Sequence, residues 1–286
     1  KEVWIRALTE VQPDVLNALV KARAEETNPR GQQYLDILIE NAKKAKENRI
    51  VICQDTGVPT FFVKTSLSFP FTGDIRAEFD GALRDLTKKE FPMRPMVVHP
   101  LTRKDRGDNT AANVPLIHVE LDNSIDYMEI KAMPKGAGCG TWSTLQIFPP
   151  HVGIEGVKKF VVDSVLRAGS NPCPPLIVGV GIGGPLEEVA RLATEATARP
   201  IDQRHPEADI AQLEEELRAA LNMSQIGPMG MGGDTTALAV NIEYSGTHRP
   251  WMPVAVNINC WPGRKAVCRI YKDGTVKQMR KEDSHV

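Results

Sequence analysis

Residues 170 to 199 read SNPCPPLIVGVGIGGPLEEVARLATEATAR, a stretch that leaves the backbone little choice. Cys173 stands between Pro172 and Pro174. A proline fixes its own φ and biases the residue before it toward extended backbone, so neither a helix nor a central strand is expected through this point. PPLIV then predicts a short buried strand, and the glycines of GVGIGG predict a turn or a close backbone approach. PLEEVARLATEATAR predicts a helix with proline at its first turn and acids just inside it, where they complement the helix dipole. Loop, strand, turn and helix follow one another at once, so helices must pack against β-structure.

The same alternation runs through the chain. Val15, Leu16, Leu19 and Val20 recur at helical spacing behind Pro13, and further amphipathic helices are predicted near 32–48, 75–90, 153–168 and 205–222. FPMRP ends the 75–90 helix sharply and leaves Arg94 between Pro92 and Pro95. RIVICQ predicts a short buried strand, with Cys53 where that strand gives way to the turn residues DTGVP. PLIHVELD and YMEIKAM predict a hairpin, and ALAVNIEY, PVAVNIN and AVCRIYKDGTVKQM predict strands near the end. The expected fold is mixed α/β of the α+β kind, β-sheets flanked by helices, in one domain over 1–286 with a helical part up to about residue 50. Glycine-rich loops at PKGAGCGT and GPMGMGGDTT sit where the backbone must bend or approach something closely.

Charge narrows the function. Against 35 Lys and Arg stand 36 Asp and Glu, a formal net charge of −1, which argues against a general polyanion surface and hence against nucleic acid. No apolar run approaches the roughly 18 residues of a membrane span. The opening KEVWIRALTE lacks a signal-peptide layout. Five cysteines are too sparse, and odd in number, for a disulfide framework, so reduced thiols in the cytoplasm are expected.

Cys53, Cys173 and Cys260 each lie at the end of an apolar run or beside prolines. They are far apart and show no CxxC spacing, so on spacing alone they read as buried thiols. Gly179, Gly181 and Gly184 match the dinucleotide fingerprint GxGxxG between a strand and a helix, which suggests a nucleotide-dependent oxidoreductase as a different class of function. Against it, Asp202 is misplaced for the ribose acid, and a glycine turn that holds some other anion explains the run as well. No P-loop, HExxH or GxSxG is present.

Taken together, CQDTG (53–57), KGAG (135–138), NPCPP (171–175), GVGIGG (179–184), GPMGMGG (227–233) and PVAVNINCW (253–261) resemble the iron–sulfur class I fumarase and tartrate dehydratase family, in its α subunit of the two-subunit form. The order and spacing of these matches hold from about Glu40 to Ile270. The resemblance implies a [4Fe–4S] cluster on Cys53, Cys173 and Cys260, in loops at strand ends. Three thiolates on four irons leave one iron open to act as a Lewis acid. Cys268 reads as a core thiol. Cys139 replaces the serine of the fumarase-type KGxGSEN segment; tartrate-type α subunits often carry Cys there, whereas GPMGMGGDTT and PVAVNINCW look more like the fumarase side.

The implied reaction is reversible hydration of a small C4 dicarboxylate: fumarate to (S)-malate, or alternatively dehydration of L(+)-tartrate. Arg94 matches a family arginine that clamps a carboxylate, a task suited to a forked guanidinium; without the resemblance it reads equally as a surface arginine. Gln54 and Asp55 follow the first ligand into the same cavity, Asp55 as a proton-handling group or as the cap of the turn before Gly57. Lys135 adds positive charge, and Gly136 lets main-chain amides approach substrate oxygens. His248 is a proton-handling candidate. In single-chain members a C-terminal swivelling domain supplies further cations and the base, so a separate β subunit and an α2β2 assembly are expected here. A non-catalytic cluster scaffold is the third reading; it would hold iron yet lack the dicarboxylate pocket.

Overall fold

In the computed structural model, residues 1–279 are described. These residues form two compact units, one of Lys1–Gln12, Asn41–Gly136 and 264–279, the other of Pro13–Glu40 and Ala137–Gly263.

The first unit carries a five-stranded sheet. Its strands are β1 (Val58–Thr65), β2 (Leu116–Leu121), β3 (Tyr127–Lys135), β8 (Ala266–Tyr271) and β9 (Val276–Met279), in the order β2-β1-β3-β8-β9. Helices α1 (Glu2–Thr9) and α4 (Ile75–Asp85) belong to the same unit. Alternate residues of the strands, Phe61 and Val63 on β1 and Met128, Ile130 and Ala132 on β3, point into one core with Trp4, Leu8, Leu83 and Leu86. Phe61 is held between Trp4 and Phe79, with ring centroids at 5.5 and 4.5 Å.

Two expectations fail here for non-local reasons. PLIHVELD and YMEIKAM form no hairpin, because β1 lies between β2 and β3 and pairs parallel with the former and antiparallel with the latter. RIVICQ is no strand. Arg49 turns into the left-handed region (φ +52) as α3 (Pro29–Asn48) ends, and Ile50 N–H reaches back to Ala45 O at 3.0 Å. Ile52 then donates to Leu8 O at 2.9 Å and accepts from the Asn41 side chain at 3.2 Å. Its polar groups are met without a neighbouring strand, and Cys53 follows in a bend.

The second unit carries the sheet β4-β7-β5-β6, built from β4 (Thr144–Phe148), β7 (Met252–Asn259), β5 (Leu176–Ile182) and β6 (Ala237–Tyr244). Its helices are α2 (Pro13–Glu25), α5 (Ala137–Trp142), α6 (Gly153–Ala168), α7 (Leu186–Ala196) and α8 (Ala208–Asn222). Strand β5 is buried on both faces. Leu176, Val178 and Val180 pack with Val157, Val161 and Val165 of α6 and Leu213, Leu217 and Leu221 of α8.

The opposite face of β5 presents Gly179 and Gly181 to α7. A Cβ at Gly179 would stand 2.2 Å from Ala193 O, and one at Gly181 2.2 Å from Val189 O. These glycines therefore serve close helix-on-strand packing inside β5. The turn to α7 is made by Gly183 and Gly184, at φ +84 and +71. The dinucleotide fingerprint needs its first glycines in the turn itself, so the oxidoreductase reading loses its structural basis. Gly181→Ala is expected to cost about 1–3 kcal/mol through overpacking. A thermal unfolding midpoint unchanged by that substitution would contradict this packing.

Candidate functional site

Two groups of residues stand out, one in each unit. In the first, the loop CQDTG precedes β1. The Asp55 carboxylate closes an Asx turn, its Oδ1 accepting from Gly57 N–H at 2.9 Å. Gly57 sits at φ +78, and a Cβ there would lie 2.7 Å from the main-chain carbon of Lys135. The end of β3 and the CQDTG loop are thus pressed together at a position only glycine fits. Gly136 is the next point of closure, with Asp55 Oδ2 3.0 Å and Arg264 Nη2 3.2 Å from where its Cβ would sit. Cys53, Gln54, Asp55, Lys135 and Gly136 are therefore brought into one neighbourhood. The Cys53 thiol lies 3.7 Å from Gln54 Oε1, and Asp55 N–H points at Cys53 Sγ at 3.5 Å.

Arg94 is exposed in the same unit. Its turn is fixed from behind: Asn109, 1% exposed, donates to Arg94 O at 3.1 Å and accepts from Met96 N–H at 2.7 Å.

In the second unit, Cys173 and Cys260 stand at the same end of the sheet. Cys173 precedes β5, Cys260 follows β7, and the antiparallel register sets Ile177 opposite Asn259. Trp261 N–H donates to Cys173 O at 3.2 Å. Pro174 biases the residue before it toward extended backbone, yet Cys173 adopts φ +56. Its own N–H bonds Ser170 O at 3.0 Å, so both its polar groups are committed to this left-handed bend. That conformation costs on the order of 1–2 kcal/mol in a non-glycine residue.

Two glycine-rich segments crowd the bend. A Cβ at Gly138 would meet Asn171 O at 2.8 Å, and one at Gly230 would meet Ser170 Cβ at 2.2 Å. Met229 N–H donates to Pro174 O at 2.7 Å. The GPMGMGG loop is in turn fastened by Glu26, which is 3% exposed and accepts from Asp234 N–H at 2.9 Å and Thr235 N–H at 3.3 Å. Asp234 answers by accepting from Thr27 N–H and Oγ1 at 2.9 and 2.6 Å.

His248 is exposed, with its ring 5.7 Å from that of Trp251. It lies in the loop before β7, at the end of the strand away from Cys260, so a strand of roughly 25 Å separates the two within one chain.

Glu26 and Arg264 stand outside the motifs that carry the family resemblance. Arg264 is 2% exposed, and its Nη1 donates to Asp55 O at 2.6 Å. Its position in CWPGRK, just after the last family motif, was the available signal.

The five cysteines form no disulfide and divide by burial: Cys53, Cys173 and Cys260 are half-buried, Cys139 and Cys268 buried. Burial pushes the Cys268 thiol up to about 11. Among the described residues no three His, Cys, Asp or Glu side chains gather to hold a single metal ion. A cluster makes a different demand, since it spreads its thiolates over several irons. Three accessible thiols outside helices and strands, one of them receiving a main-chain N–H, are a donor set that suits it.

Comparison with known proteins places the chain. A family model described as fumarate hydratase (fumerase) matches residues 1–269. A protein of Methanocaldococcus jannaschii, "Putative L(+)-tartrate dehydratase subunit alpha", is 42% identical over 275 residues, which is 95% of this chain and 96% of that protein. The L(+)-tartrate dehydratase subunit alpha of Escherichia coli K12 is 33% identical over 271 residues, 95% of this chain and 89% of that protein. The chain belongs to the fumarate hydratase family, as the resemblance of its motifs implied. No helix among the described residues is long and apolar enough to cross a membrane.

The burial pattern predicts a labelling result. In native, iron-stripped protein, iodoacetamide at neutral pH modifies Cys53, Cys173 and Cys260, while Cys139 and Cys268 react only after denaturant is added. Peptide mass mapping reads the outcome, and early modification of Cys268 would contradict the buried, high-pKa thiol.

Proposed function

We propose that this chain is the α subunit of an iron–sulfur hydro-lyase that interconverts fumarate and (S)-malate. What carries the reading is the family match over residues 1–269, together with the sorting of the cysteines. The three half-buried thiols are the three that the family motifs contain. Dehydration of L(+)-tartrate is the second reading, favoured by the names of the 42% and 33% identical relatives. Those names include "subunit alpha", which supports a separate β subunit; we take the assembly to be α2β2 and cytoplasmic.

In this reading Cys53, Cys173 and Cys260 hold a [4Fe–4S] cluster, which supplies a Lewis acid at the iron without a protein thiolate. The remaining work falls to the chain's own groups. The Arg94 guanidinium binds a substrate carboxylate with two parallel hydrogen bonds, from a turn already set by Asn109. The Asp55 carboxylate, whose Oδ1 accepts from Gly57 N–H, holds or orients a proton at the substrate carbon. Gly136 leaves the main chain open to a substrate oxygen, Gln54 contributes a neutral polar contact, and Lys135 adds positive charge. Balanced net charge means that the dianion is attracted locally by these groups rather than by a basic surface.

The test is anaerobic co-expression with the partner subunit. Cys53→Ser, Cys173→Ser or Cys260→Ser is expected to remove the visible absorbance, whereas Cys139→Ser and Cys268→Ser retain it. Arg94→Ala should lower kcat/KM about 100-fold, the scale of a lost charge-assisted pair worth about 1.5–3 kcal/mol, and leave the absorbance intact. Faster turnover of L(+)-tartrate than of malate would select the second reading. Full activity of the chain without a partner would exclude the subunit assignment.

A further inference from the structure

Arg264 is a cation that the reaction described above does not use, and the fold buries it to 2% exposure. A buried guanidinium must have its charge and its five N–H donors met locally. Its Nη1 donates to the main-chain oxygen of Asp55 at 2.6 Å, a join made across 209 residues of sequence. Its Nη2 and Asp55 Oδ2 converge on Gly136, 3.2 and 3.0 Å from where a side chain there would begin. Asp55 Oδ1 accepts from Gly57 N–H, so the carboxylate is tied to the same short loop whose main chain Arg264 grips. Beyond Gly57, the loop is wedged against Lys135. One side chain thus reaches both the loop that follows Cys53 and the glycine at the end of β3.

We propose that Arg264 is a positioning residue for this corner: without touching substrate, it fixes the Asp55 main chain and keeps Oδ2 facing Gly136. The inference rests on the reading of Asp55 and Gly136 as substrate-facing groups. A lysine cannot take over the task. Its single ammonium donates from one point, whereas the planar fork places one nitrogen on a carbonyl and another beside Gly136 in fixed relation. Small displacements of a reacting group are expensive in rate, on the order of 100-fold for about 1 Å.

The experiment uses the full chain co-expressed with its partner, as wild type, Arg264→Lys and Arg264→Ala. Arg264→Lys is expected to keep the visible absorbance and the unfolding midpoint, to lose kcat by on the order of 10- to 100-fold, and to hold KM for malate within about threefold. Hydrogen exchange of the amides at 53–57 should rise by about tenfold or more while that of β3 and β8 is unchanged. Millimolar guanidinium should restore part of kcat in Arg264→Ala and not in Arg264→Lys.

A raised KM at unchanged kcat would make Arg264 a substrate contact and overturn the proposal. So would wild-type kcat and exchange in Arg264→Lys. Loss of protection throughout the unit in both variants would assign Arg264 to fold stability, which also overturns it. A wild-type assembly that hydrates no dicarboxylate removes the functional reading instead, and exchange at 53–57 still decides whether Arg264 fixes this loop.

Discussion

The close approach of α7 to β5 is the constraint on which the second unit depends. Carbonyl oxygens of Val189 and Ala193 come within 2.2 Å of where side chains at Gly181 and Gly179 would begin. Only a strand bare on that face admits the helix. The other face is fully clothed by Leu176, Val178 and Val180, which α6 and α8 cover. Buried on both sides, β5 has one place in the sheet, and β6 and β7 pair with it in fixed registers. The loops carrying Cys173 and Cys260 inherit their positions from that pairing. Side-chain-free packing deep in the sheet thus decides where two half-buried thiols emerge.

The first unit reaches a comparable end by different means. Its sheet packs Phe61, Val63, Ile130 and Ala132 against α1 in an ordinary apolar core. The corner at Cys53 to Gly57 has no regular structure of its own. It is held by Gly57 N–H on the Asp55 carboxylate and Arg264 on the Asp55 carbonyl, with Gly57 packed closely against the Lys135 main chain. Loops need such external fastening because their main-chain groups have no ladder partners. Glu26 and Asp234 do the same for the GPMGMGG loop, each accepting main-chain N–H groups from the other's segment. Two buried charged side chains, Arg264 and Glu26, thus fasten irregular loops to the framework.

Much of this was legible in the sequence. Helical periodicity, with proline at the entry of α2 and glycine after α6, marked those helices, and PPLIV marked β5. The failures are all non-local. RIVICQ has the apolar character of a strand, but the Leu8 carbonyl and the Asn41 amide satisfy it from other elements. PLIHVELD and YMEIKAM look like a hairpin until β1 separates them. GVGIGG carries a nucleotide pattern whose glycines answer to a helix backbone instead. At the candidate site, the closeness of Asp55 and Gly136 was readable because the resemblance places their motifs at one cavity. Arg264 was not, since nothing in local composition announces that a cation after a Pro-Gly turn will be buried beneath a loop two hundred residues away. Cys173 shows the converse: its prolines announced an irregular backbone, but the left-handed bend is imposed by hydrogen bonds to Ser170 and Trp261.

The central claim is that this chain binds a dicarboxylate at a cluster held by its own three half-buried cysteines. The most direct measurement is the electronic spectrum of the anaerobically reconstituted assembly, with iron and sulfide quantified, before and after addition of malate. The account predicts [4Fe–4S] stoichiometry and a spectrum that malate perturbs, because one iron is open to the substrate. A preparation that takes up no iron, or a cluster whose spectrum malate leaves unchanged while the assembly turns malate over, would contradict it.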